Sequence, residues 1–230
     1  MKLSLWLTVF MSLVTLGHLP MSAQSDRYIE FRTPIGQCLL DHEVNKTLDQ
    51  LLNSDLVQEA SGREAIPEKK YYTKMQQGYR TVRYSWKGNR TREMTVGKTT
   101  MTIAVDDEIG LGTVGTFNPA YFDNAYHTPS EEEKAEMKRL MADALDTTET
   151  AATEIHQKAG SALSGTLIDG MKFESVEGVG DKAAWDISGS RLVVLTGDVT
   201  FYVLVNMEMD WRSNMRRSIP IAQKILESCK

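Results

Sequence analysis

The sequence predicts an α+β fold: an antiparallel β-sheet of about five to seven strands with helices packed on it. Three observations carry this. From Val199 to Met209, apolar Val199, Phe201, Val203, Val205, Met207 and Met209 alternate with Thr200, Tyr202, Asn206 and Glu208, the period-two pattern of a strand with one face on a core. Upstream, Ala183 to Ile187 and Arg191 to Thr196 are further strand-like runs, and Ser188-Gly189-Ser190 and Gly197-Asp198 supply tight connections, so the three make an antiparallel meander. Helical patterning recurs near the start, after residue 130 and at the C-terminus. That order of helix, strands, helix, three strands, helix packs as layers.

Taken in order, residues 1–23 read as a secretory signal. Lys2 precedes an apolar run from Leu3 to Leu16, and small residues around Met21-Ser22-Ala23 place the cut after Ala23. The run is shorter than the roughly 20 residues a spanning helix needs, and no Cys follows it to take a lipid. Residues 24–230 are expected to form a single periplasmic or secreted domain, without membrane insertion. Ser25 to Gln37 reads as extended. Asp41 is placed to cap a helix reaching about Leu56, with Val44, Leu48, Leu51 and Leu52 on one face. Ser61 to Lys70, with Gly62 and Pro67, reads as a loop.

Thr81 to Trp86 alternates as a half-buried strand, Lys87-Gly88-Asn89 reads as a turn, and Thr91 to Val96 as its partner. Thr100 to Val105 alternates again, and Gly110 to Asn124 reads as a structured loop. Ser130 with Glu133 makes a capping box for a helix whose Met137, Leu140, Met141, Ala144 and Leu145 form a buried stripe. The tendency continues through Ile155 to Leu163, as one bent helix or two. Asp210 to Arg217 reads as a polar turn, and Ser218 as the cap of a last helix with Pro220 in its first turn.

A net charge of −5, one more negative once Lys2 leaves with the signal, and no basic stripe argue against nucleic acid and anionic lipid. Cys38 and Cys229 are the only cysteines. In an oxidising compartment a lone pair is most simply one disulfide, two buried thiols being the alternative.

Gly178-Val179-Gly180-Asp181-Lys182-Ala183-Ala184-Trp185, followed by LVVLTGDVTFYVLV and a helix ending AQKIL, resembles a group of small exported bacterial proteins of unknown function. Cys38 to Val44 is similar to their opening helix, and Arg83-Tyr84-Ser85-Trp86 to their Trp-bearing strand. The resemblance implies a compact sandwich like the PsbP and Mog1 proteins, and carries no assigned activity. The group usually has a second Cys just before the Trp strand. Thr81-Val82-Arg83 stand there in this chain, so Cys38 pairs with Cys229 or stays free.

Candidate chemistry is sparse. Gly178-Val179-Gly180-Asp181 lacks the third glycine, the Lys and the following helix of a phosphate loop; it reads as a structural turn, with Asp181 bonding turn amides. His42, His127 and His156 lack the i, i+4 spacing of a helical metal site, and no GxSxG elbow marks a nucleophile. Asp106-Asp107-Glu108 lacks the ligand spacing of a calcium loop and reads as a solvated turn. Tyr121, Phe122 and Tyr126 sit in an irregular stretch, and loop aromatics are enriched at binding surfaces. The expectation is an exported, non-catalytic binding or accessory module of the envelope, its partner an envelope protein or other envelope component, with no cofactor; the alternative is a small-ligand carrier or an enzyme with a scattered site.

Overall fold

The computed structural model describes residues 32–73, 80–96, 99–146 and 168–230; residues 1–23, expected as a signal, His156, and the helical tendency expected toward Leu163 lie outside them. Seven strands, β1 (Glu68–Thr73), β2 (Arg80–Val96), β3 (Thr99–Thr116), β4 (Phe173–Val176), β5 (Lys182–Asp186), β6 (Arg191–Thr196) and β7 (Val199–Asn206), form one sheet of order β1-β2-β3-β7-β6-β5-β4. Every neighbouring pair is antiparallel. The expected meander is β5-β6-β7, and its last strand seats against β3.

Four helices cover one face: α1 (Pro34–Asn45), α2 (Leu48–Leu51), α3 (Ser54–Ser61) and the C-terminal α6 (Trp211–Ser228), with α1 and α6 on β7 and α2 on β2. They bury Val82, Tyr84, Ile109, Leu111, Trp185, Leu192, Phe201 and Val203. The opposite face carries a smaller cluster of Phe122, Ala184, Val193 and Leu195, packed by Phe117, Tyr126 and Tyr202, with Phe122 opening the short helix α4 (Phe122–Ala125). The sheet therefore lies between apolar contacts on both sides: β6 is buried on both faces, which is why it reads as a near-continuous apolar run, and β7, alternating in sequence, buries Thr200 and Leu204 of its second face as well. Cys38 on α1 and Cys229 after α6 form a disulfide, Cα atoms 5.6 Å apart across 191 residues of sequence.

Several boundaries differ from the sequence expectation, each for a local reason. α1 starts at Pro34, because Thr33 Oγ1 accepts the Gly36 amide at 3.0 Å and Pro fits the first helical turn. Asp41 therefore lies inside the helix and Val44 is exposed. Lys46, at φ 61°, ends it by donating to the carbonyls of His42 and Glu43. α6 likewise starts early: Asp210 accepts the Arg212 and Ser213 amides at 3.2 and 3.1 Å. That places Ser218 and Pro220 in its interior, where Ser218 Oγ donates to the Met215 carbonyl at 2.7 Å. The capping box of α5 (Glu131–Asp146) forms as expected, with reciprocal Ser130–Glu133 bonds of 2.8 and 3.2 Å. Of its expected buried stripe, Leu140 and Met141 are exposed and Met137 is half-buried, and the side chains of Ala144 and Leu145 lie outside the description.

Lys87-Gly88-Asn89 is no turn. It is a bulge within β2, three residues facing Asp106 alone, since Trp86 pairs with Asp107 and Arg90 with Val105. Asp106-Asp107-Glu108 is strand as well. Asp107 is 2 % exposed and is held by Arg63 Nη2 and by Arg90 Nε, the latter at 2.6 Å. Arg90 also donates to the carbonyls of Asp106, Asn206 and Glu208 at 3.2, 2.6 and 3.2 Å. Beyond this clamp, among the described residues, β2 and β3 pair only with each other and continue as a two-stranded ribbon past the sheet. β3 also extends through Gly110 to Thr116, the stretch expected as loop. Gly112 permits this, because a Cβ there would stand 2.5 Å from Thr81 Oγ1.

Candidate binding groove

The turn between β4 and β5 needs its glycines. Gly178 and Gly180 have φ of 77° and 62°, a region costly for any residue with a Cβ, and a Cβ on Gly180 would lie 2.4 Å from the Leu195 carbonyl. Asp181 latches this turn to the β6–β7 hairpin: its amide donates to Leu195 O at 2.8 Å, and its Oδ2 accepts the Gly197 amide at 2.6 Å. The hairpin is held from a second side, where fully buried Asp198 receives Arg32 Nε and Nη2 at 2.7 and 2.9 Å. Hydrogen bonding to that carboxylate, against some desolvation, raises the Arg32 pKa. Asp181 thus has a structural post. Asp181→Ala is expected to lower the melting temperature by roughly 2–4 °C, whereas His127→Ala should leave it unchanged; thermal unfolding of both variants checks this, and a lost latch with no change in melting would refute the role.

Facing this turn is an aromatic wall. Phe122 and Tyr126 have ring centroids 4.8 Å apart, and Tyr126 lies 5.9 Å from Phe173 on β4. Burial pushes the Tyr126 phenol pKa up. His127 places Nδ1 2.8 Å from the Asn124 carbonyl and Nε2 3.1 Å from Glu133 Oε1. The Glu133 carboxyl titrates below its ordinary 4.5, chiefly because it accepts the Ser130 amide. Thr128 Oγ1 sits 2.8 Å from both the amide and the carbonyl of Phe173. Lys182 on β5 pairs with Asp123 on α4 and ties the two walls together.

Between the walls runs an open groove of about 570 Å³, with Tyr126, Thr128, Phe173, Ser175, Asp181 and Lys182 among its lining. It brings together two stretches the sequence singled out separately, the Gly178-Gly180-Asp181 turn and the aromatics Phe122 and Tyr126. Their exposures differ: Phe122 is 2 % exposed and belongs to the core, Tyr126 is half-buried, and Tyr121, 60 % exposed, does not line the groove. Thr128 and Ser175 carried no sequence signal and Lys182 only its place in the Gly178–Trp185 stretch, since an edge-strand cap and a cross-wall ion pair have no fixed spacing. A wider depression of about 860 Å³ lies along α5, near Met137, Arg139 and Met171, and holds none of the latched turn. His42 is elsewhere, its Nδ1 2.8 Å from Thr47 Oγ1. Among the described residues, no three of His, Cys, Asp and Glu group as a metal site would require, and no helix is long and apolar enough to cross a membrane. No protein-family model, curated protein or solved structure matches the chain.

Proposed function

We propose that the chain is an exported, non-catalytic binding or accessory module of the bacterial envelope, and that it engages its partner at the groove. One observation carries this reading: two sequence-distant turns, one aromatic and one glycine-rich, are fastened as opposite walls of one open groove at the edge of the sheet. The walls are preorganised, because the latch of Asp181, the Lys182–Asp123 pair and the Thr128 contacts hold them, and a preorganised surface loses less entropy on binding. The Cys38–Cys229 bond suits an oxidising compartment, and the signal segment read from the sequence supplies the route. The test is site-specific photo-crosslinking in the native host, with the photoreactive residue at Glu177 beside the groove, or at Glu59 on α3 as the control. A discrete adduct from Glu177 and none from Glu59 supports the groove. Adducts from Glu59 alone would move the binding surface to the helical face and sink the proposal.

A further inference from the structure

β4 is an outer strand of the sheet, and its hydrogen bonds show which backbone groups face outward. The Lys172 carbonyl accepts from Ile187 at 2.9 Å, toward the β5 side. Phe173 turns the other way, with its amide and carbonyl both on Thr128 Oγ1. Strand alternation then directs the amide and carbonyl of Ser175 outward as well. Ser175 is exposed and lines the groove, and outside its β5 pairing no hydrogen bond reaches its backbone among the described residues. Thr128 therefore occupies one rung of this edge and leaves the next one open.

The two edges of the sheet are unlike. β1, at the far side, carries Lys69 and Lys70, and pairs them with Asp49 and Glu68; edge lysines of this sort discourage strand addition. β4 reads Phe173-Glu174-Ser175-Val176 and carries none. Its surroundings are acidic on balance: Glu174, Glu177 and Asp181 are exposed beside the exposed cation Lys172, while Lys182 is already matched by Asp123. A second copy of this chain, itself net negative, meets that rim with like charge.

We propose that the outer edge of β4 takes an extended, basic peptide segment of a partner as an eighth strand. This rests on the groove being the binding surface, and it names the partner's chemistry. Backbone bonding to Ser175 supplies the register, the groove beside it receives alternate side chains, and Glu174 and Glu177 select for lysine or arginine.

The test uses the full, disulfide-bonded protein and two soluble end-blocked probes, (Lys-Thr)5 and (Glu-Thr)5, followed by residue-resolved amide exchange. The expected result is binding of (Lys-Thr)5 alone, with exchange at Ser175 slowed about tenfold or more and the β1 amides unchanged. Ser175→Pro, which removes the outward amide at an edge where Pro is tolerated, should weaken binding about tenfold. Because that variant could alter the strand itself, Glu174→Lys/Glu177→Lys provides the second arm; both side chains are exposed, and the double reversal should invert the preference toward (Glu-Thr)5. Binding that perturbs Tyr126 and Phe173 but leaves the Ser175 amide unprotected overturns strand addition and leaves the groove as the site. No binding at about 1 mM peptide overturns the basic-strand proposal, and the Glu177 crosslinking then decides separately whether the groove binds anything.

Discussion

Asp107→Ala is expected to cost about 3 kcal/mol of stability, a fall in melting temperature of roughly 6–12 °C. Asp107 is buried and its two oxygens are shared between Arg63 and Arg90. Removing it leaves Arg90, whose side chain is only 16 % exposed, without its counter-charge in a low-dielectric setting. The neighbouring Asp106→Ala is the control. Asp106 pairs with Lys87, which is 91 % exposed, and such surface pairs contribute about 0–1 kcal/mol. Amide exchange adds a readout of place: in Asp107→Ala the β2–β3 ribbon should lose protection more than β6 does. Equal melting of the two variants would show that the clamp contributes nothing.

The second large effect is expected from Cys38→Ser/Cys229→Ser. Closing a loop of 191 residues stabilises by roughly 5 kcal/mol in the chain-entropy model, and measured losses for native disulfides run about 2–5 kcal/mol. Cys229 is buried against the core with Ile225 and Leu226, and Cys38 packs on the same cluster. Two serines there leave a packing defect and two hydroxyls to satisfy, which adds to the loss. Denaturant unfolding of the double variant should give a midpoint well below the oxidised protein, and the reduced native protein should fall between them. A midpoint identical to the oxidised protein would mean that the bond is dispensable.

Much of the fold was legible where the signal is local and periodic. β5, β6 and β7 followed from alternation and turn chemistry, and the α5 cap from Ser130 and Glu133. The cysteine pair was legible by simple economy. Boundaries that depend on who receives a backbone bond were not. Thr33-Pro34 and Asp210 are good caps, but each precedes residues that read equally well as loop. The bulge at Lys87-Gly88-Asn89 uses the very residues that make a hairpin turn, and only the Arg90 clamp explains why the strand continues. The glycines of β3 looked like loop because the sequence cannot show Thr81 standing beside Gly112. At the groove, the glycine turn and the aromatics were visible separately. Their meeting depends on α4 docking over β5, through Lys182 and Asp123, which no spacing in the chain announces.

The bond between α1 and the end of α6 also makes the chain from Cys38 to Cys229 a closed covalent ring. A single protease cut anywhere inside that ring releases no fragment while the disulfide is intact. Such a nicked molecule keeps both pieces tethered, so reassociation of the sheet halves at β3 and β7 stays a first-order event, independent of concentration. Wherever the folded protein meets a protease, the ring holds together what a single cut would divide in a linear chain.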